Sequence, residues 1–184
     1  MKLLYIDACP RAEDVSRTSM LCRAFLDEYV NMHPDAQIEH VRLVDLGLLP
    51  FDGDMVLRRE ARKAEGRLDD PIFDMARQFA DADRILIGAP YWDYSFPAML
   101  KIYIDHISVG KILFDYTEDG QPFGLCKAER VCYVVTAGSP IDPGDWGAGY
   151  IEALFRELYG IKRFDQVRAE GIDIIGWDVE GILK

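Results

Sequence analysis

The sequence has little that would hold a metal and nothing long enough to cross a membrane as a helix. Its four cysteines, Cys9, Cys22, Cys126 and Cys132, form no C-x-x-C pair, which leaves neither a dithiol redox motif nor a zinc-ligand spacing. The three histidines, His33, His40 and His106, stand far apart and offer no metal-ligand spacing either. No segment approaches the ~20 apolar residues of a membrane helix, and the apolar run in MKLLYIDACP is too short for a secretory signal. Basic residues are outnumbered, 21 Lys and Arg against 32 Asp and Glu, for a net charge of -11 and a pI near 4.7. Such a chain repels nucleic acid and anionic membrane surfaces. A reduced, cytoplasmic protein with neither partner is expected. Two phosphate-binding patterns are missing as well. There is no G-x-x-x-x-G-K-S/T, and no G-x-G-x-x-G follows the first apolar run, which excludes a nucleotide phosphate loop and a dinucleotide fingerprint.

What is present is an alternation of apolar patterns. At 184 residues and 49% hydrophobic, the chain has the size of one domain, 1–184, with one large core. Residues 3–6 form a short continuous apolar run, the pattern of a strand buried on both faces. Cys22, Phe25, Leu26 and Tyr29 then recur at helical spacing. Residues 38–43 read as a more polar strand at a sheet edge. Ile72, Met75, Ala76 and Phe79 mark a second helix, and 85–87 a third strand. Leu100, Tyr103, Ile104 and Ile107 mark a third helix, entered after Pro97, and 131–135 a fourth strand. Ile151, Leu154, Phe155 and Leu158 mark a fourth helix, stopped by Gly160, and 164–174 holds a fifth strand. Strands alternating with helices predict an α/β fold with a mainly parallel sheet and helices on both faces. The charged stretch 52–70 predicts a surface helix or lid-like insertion.

In such folds ligands bind beyond the carboxyl ends of the strands, where strand order reverses. The loop after the first strand, DACPRAEDVSRTSML, puts Ser16, Thr18 and Ser19 where a helix begins. Free N–H groups, hydroxyls and the charge of Arg11 or Arg17 together suit a phosphate monoester. The same residues also read as a plain helix cap. A cysteine-phosphatase loop is excluded, because C-x5-R from Cys9 would need an arginine where Val15 stands. After the third strand, ILIGAPYWDYSFPAMLKIYIDHI sets Pro90, Tyr91, Trp92, Asp93 and Tyr94 at a strand end. Three aromatics in four residues make a flat wall for a planar ring, or else packing against a neighbouring subunit. The helix that follows, Ala98–Ile107, has no clear polar face and is expected to be covered on more than one side, near a subunit contact. After the fourth strand come Thr136, Ala137, Gly138 and Ser139, where Gly138 permits close backbone approach. An ordinary loop rich in glycine and proline is the other reading.

Taken together, these stretches resemble the FMN-dependent NADH:quinone and azo-compound reductases of the flavodoxin-like superfamily, over most of the chain. SRTSML is similar to that family's phosphate loop. APYWDYSFPAMLKIYIDHI matches its A-P-x-Y-N-F-x-x-P-x-x-L-K-x-x-I-D and is the most specific element. GKILFDYTEDGQPFGL resembles the hairpin after that helix, and ELYGIKRFDQVRAEGID the last helix and strand.

The resemblance implies a flavodoxin-like, doubly wound, five-stranded parallel sheet of order 2-1-3-4-5. It implies FMN as cofactor, NAD(P)H as donor, a small-molecule electron acceptor and a homodimer with the active site between subunits. It would put Cys9, Ser16, Arg17, Thr18 and Ser19 around the FMN phosphate and ribityl chain. Tyr91, Trp92, Asp93 and Tyr94 would lie along the ring, and Thr136, Ala137, Gly138 and Ser139 at its polar edge. Two departures stand out. The family's Y-N-F is here Trp92-Asp93-Tyr94, and its T-R-G-G or S-R-G-G is Thr136-Ala137-Gly138-Ser139, without the arginine. Hydride transfer by a flavin needs no catalytic acid or base from the chain, and none is assigned. A flavodoxin-type electron carrier without a small-molecule substrate is the alternative.

Overall fold

The computed structural model describes residues 1–141 and 145–183. In chain order its elements are β1 (Lys2–Asp7), α1 (Arg17–Met32), β2 (Gln37–Arg42), α2 (Gly53–Ala64), α3 (Asp74–Asp81), β3 (Arg84–Pro90), α4 (Ala98–Ile107), β4 (Phe114–Tyr116), β5 (Pro122–Gly124), β6 (Arg130–Thr136), α5 (Trp146–Glu157), β7 (Arg163–Ala169) and α6 (Val179–Ile182). Five strands make one parallel sheet of order β2-β1-β3-β6-β7. The expected strands are all present. The expected order carried no strand numbers for the hairpin, which here is a separate antiparallel pair, β4 with β5.

The three central strands follow from composition. β1, β3 and β6 bury nearly every side chain, as strands covered on both faces must. Side chains alternate between the faces. Leu4 and Ile6 join Phe79, Leu100, Ile104, Ile151 and Phe155 in the larger core, against α3, α4 and α5. Leu3 and Tyr5 join Leu86, Cys132 and Val134 under Cys22 and Tyr29 of α1 in the smaller one. β2 and β7 are edges and keep polar, part-exposed side chains.

Chain order reverses at β1, which lies between β2 and β3, so the loops after β1 and β3 part and leave a crevice there. The last strand stops sooner than the expected 164–174. Gly171 has φ +73, a turn that breaks the extended path, and Ile172 and Asp173 fold back to donate their N–H groups to the Ala137 and Gly138 carbonyls at 3.2 and 3.1 Å.

The charged insertion forms α2, capped by Asp52, whose carboxylate accepts from Met55 N at 2.8 Å. None of its residues is buried. The segment before it lies along α4. Phe51 packs on His106 with ring centroids 4.5 Å apart, and Leu49 O is 2.9 Å from His106 Nε2. The Arg59 guanidinium donates to the Asp105 carbonyl at 2.8 Å and also to the Ser108 carbonyl. Part of the cover that α4's apolar sequence demands therefore comes from the chain itself.

Candidate functional site

A cavity of about 310 Å³ opens at the carboxyl ends of β1, β3 and β6. Its first wall is the start of α1. Ser16 is the N-cap, and its Oγ accepts from Ser19 N at 3.2 Å. The hydroxyl proton of Ser16 is not used in that bond, so the cap and a donor to a ligand are compatible roles. Thr18 Oγ1 lies 2.7 Å from Thr136 Oγ1, both buried, a bond between the first turn of α1 and the end of β6. One hydroxyl of the two must donate to the other, which leaves the second proton for a ligand. Pro10, Arg11, Val15, Ser16, Arg17 and Thr18 all line the cavity. Cys9 and Ser19 do not. Cys9 is buried beneath the loop, with its N–H on Asp7 Oδ1 at 2.9 Å and its thiol 3.7 Å from the Gly88 carbonyl. Ser19 faces a second, smaller cavity with Tyr5, Arg23 and His40, and among the described residues its buried Oγ has no hydrogen-bond partner.

The second wall is the loop after β3. Pro90, Tyr91 and Trp92 line the cavity. Tyr91 N donates to Thr136 O at 2.9 Å, which pins this loop to the end of β6. Burial raises the Tyr91 phenol pKa, with the Asp145 charge adding to it. Trp92 and Ser95 exchange both backbone bonds, 2.9 and 2.8 Å, and the two residues between them have positive φ, Asp93 +49 and Tyr94 +65. This is a tight two-residue turn with both central residues left-handed. It carries Asp93 and Tyr94 out to the exposed rim, beyond the cavity lining. The acidic departure at position 93 thus sits at the edge of the site.

The third wall joins the loop after β6 to the segment after β7. Thr136 and Gly138 line the cavity, Ala137 is buried behind them and Ser139 is exposed. Residues 142–144, between this loop and α5, lie outside the described residues. Ile172 and Asp173 complete the wall. Sequence reading missed them because it ran the fifth strand through them; Gly171 in AEGID was the available sign of a turn. Asp173 Oδ1 takes a 2.6 Å bond from Arg17 Nη1, and Asp173 Oδ2 lies 2.5 Å from where a Cβ on Gly138 would fall.

Sequence spacing also concealed a cluster. Among the described residues, Asp7, Glu13 and His40 bring their ligand atoms within 4.8 Å of one another. Two cations already serve it: Arg42 Nε is 4.0 Å from Asp7 Oδ2, and Arg23 Nη2 is 2.9 Å from Glu13. The group ties β1 to β2.

The donor set fits a phosphate monoester. It combines a helix N-terminus, two hydroxyls with protons to give, and the Arg11 guanidinium. The aromatic pair fits a flat ring against the same cavity. Asp173, the one anion on the lining among the described residues, is neutralised by Arg17.

Known proteins resemble the chain along its whole length. A family model described as a flavodoxin-like fold matches residues 1–180. The chain is 38% identical to an FMN-dependent NADH:quinone oxidoreductase 2 of Clostridium acetobutylicum, with all of this chain and 92% of that protein covered. It is 35% identical to an FMN-dependent NADH:quinone oxidoreductase of Clostridium perfringens, at the same coverage. Among solved structures, an FMN-dependent NADH-azoreductase of Bacillus anthracis in complex with FMN superposes with a TM-score of 0.83 at 25% identity, covering 100% of this chain and 92% of that one. The chain belongs to the flavodoxin-like family, in the group that holds the FMN-dependent NADH:quinone oxidoreductases.

Proposed function

We propose that this protein is an FMN-dependent oxidoreductase that takes reducing equivalents from NAD(P)H and delivers them to quinones, azo compounds or similar small acceptors. It does so as a single flavodoxin-like domain, 1–184, with a sheet order of 2-1-3-4-5 when only the sheet strands are counted. The observation that carries the reading is one cavity joining a hydroxyl-rich helix N-terminus to an aromatic wall at the strand-order reversal. The names of relatives that match the whole chain support it.

When bound, FMN supplies the two-electron chemistry. The chain supplies position. Ser16, Thr18 and the first N–H groups of α1 hold the phosphate, with Arg11 adding charge. Pro90, Tyr91 and Trp92 fix the plane of the ring, and Thr136 and Gly138 meet its polar edge. Cys9, Ser19 and Ala137 support these loops from behind, while Asp93, Tyr94 and Ser139 shape the rim where donor and acceptor enter.

Homodimerisation in the cytoplasm belongs to the same reading. Trp92 and Tyr94 are 45% and 57% exposed, and Trp146 is 66% exposed. Gly147 abuts Ser95 and Phe96, and Phe96 packs on Tyr150. These aromatics form one exposed apolar surface beside the cavity, of the kind that marks an interface.

The test is direct. Purified protein should be yellow, release FMN on heating, and oxidise NADH or NADPH when a quinone is supplied. A protein that holds FMN yet turns over neither nicotinamide would be an electron carrier. FAD as the released flavin would overturn the cofactor assignment.

A further inference from the structure

One ion pair ties two walls of the cavity together. Arg17 opens α1, and Asp173 lies beyond β7, 156 residues further along the chain. Arg17 Nη1 donates to Asp173 Oδ1 at 2.6 Å and to the Ile172 carbonyl at 3.0 Å. The segment it grips is itself held in place. Ile172 and Asp173 donate to the Ala137 and Gly138 carbonyls. Trp177 lies over Gly171, whose Cβ position it would contact at 2.3 Å. The Asp173 carboxylate fills the space that a side chain at position 138 would take. Arg17, Gly138, Ile172 and Asp173 all face the cavity. The guanidinium is thus turned to the opposite wall and bonded there.

We propose that the Arg17–Asp173 pair is a clasp that closes the 171–173 segment over the flavin, so that Asp173 is a positioning residue and Arg17 acts independently of the phosphate. The inference rests on the flavin-binding reading and refines it. An arginine that served the phosphate would favour FMN over riboflavin. A clasp holds both flavins alike.

Affinities of the apoprotein for FMN and for riboflavin, read from quenching of flavin fluorescence, separate the two roles. Arg17→Ala and Asp173→Ala should each weaken both flavins by the same factor, roughly threefold to fivefold for a half-exposed ion pair. The double variant should be no weaker than the weaker single one, because the two side chains act as one unit. Riboflavin carries no charge, so its affinity for the wild type should fall as KCl rises, through screening of the clasp. Either alanine variant, and Asp173→Asn, should lose that salt dependence. Circular dichroism confirms that the variants fold.

Three results would overturn the proposal while leaving the flavin reading intact: loss of FMN but not riboflavin affinity in Arg17→Ala, tighter FMN in Asp173→Ala, or effects that add in the double variant. Failure of the wild-type chain to bind either flavin would overturn both.

Discussion

At the scale of single residues, the site is made of groups with two duties. Ser16 caps α1 and still has a proton to give, and Thr18 bonds Thr136 while one proton of the pair stays available. Replacing Ser16 and Thr18 together with Ala should weaken FMN at least tenfold, because hydrogen bonds to a charged group contribute roughly 1.5–3 kcal/mol each. Loss of the cap alone should lower stability by about 1 kcal/mol. Isothermal titration and a denaturant curve on the same variant separate the two effects; unchanged FMN affinity would reduce these residues to caps. The cysteines behave in the opposite sense, as groups kept out of chemistry. Burial pushes the Cys9 and Cys126 thiols up to about 12 and Cys132 up to about 11. Burial also lifts the phenols of Tyr103 and Tyr133 above the ordinary tyrosine range. Each of these groups is neutral in the fold at a pH where the unfolded chain would ionise it. Thiol burial therefore stabilises fully below about pH 8.5, the ordinary thiol value, and loses its contribution as pH rises through the folded values. The melting temperature should fall between roughly pH 9 and pH 11, and iodoacetamide at neutral pH should label none of the buried Cys9, Cys22 and Cys132 until the chain is unfolded. Rapid native labelling of Cys9 would contradict this. The types of most cavity residues were legible in the sequence, because hydroxyls and aromatics follow the strand ends where ligands bind in such sheets. The facing of Ser19 and Asp93 was not. One depends on the rotation of a helix and the other on a turn whose handedness composition does not reveal.

At the scale of elements, two tight contacts carry measurable consequences. The turn between Trp92 and Ser95 forces Tyr94 to φ +65, where a bulky residue costs roughly 1–2 kcal/mol. Tyr94→Gly should raise stability by about 1 kcal/mol or less, the gain being trimmed by the glycine's unfolded-state entropy. Acceptor turnover should fall, since strain of this kind is kept where it shapes a site. Thermal melts and kcat/KM with a quinone read both quantities, and turnover at the wild-type level would show that the rim aromatic does nothing for the acceptor. The β4–β5 hairpin is fastened just as closely. A Cβ on Gly124 would lie 2.1 Å from the Tyr159 carbonyl group and 2.2 Å from Gly160 N. Backbone cannot yield as a side-chain tip does. Gly124→Ala should cost roughly 1–3 kcal/mol or more by forcing the hairpin away from the end of α5, visible as an earlier denaturation midpoint. The helices and sheet strands could be read from periodicity because each buries a continuous stripe. The end of β7 could not, since Ile172 and Ile174 extend the apolar pattern past the point where Gly171 turns the backbone. The cover over α4 was hidden too: apolarity all round shows that something lies on a helix, and here 49–59 supplies part of it.

At the scale of the whole molecule, donor and acceptor must reach the same aromatic wall. Tyr91 and Trp92 line a single cavity of about 310 Å³, so a nicotinamide and a quinone should take turns. Initial-rate plots at several fixed quinone concentrations should give parallel lines, and intersecting lines would exclude alternation. Light scattering at micromolar concentration should give a dimer, and changing Trp146 to a charged residue should shift it toward monomer. The cavity has a further consequence in time. Its walls come from residues near 10, 90, 136 and 172, and β1 itself waits for β3, which pairs it in parallel after some eighty residues of intervening chain. Contacts so distant in sequence close late, because the loop entropy must be met before they reward it. A nascent chain extended only as far as Ala169 has β1 to β7 yet lacks the wall that Asp173 builds. Flavin should therefore bind such a chain more weakly than one extended past Asp173, so that cofactor affinity rises late in synthesis, after the last strand is in place.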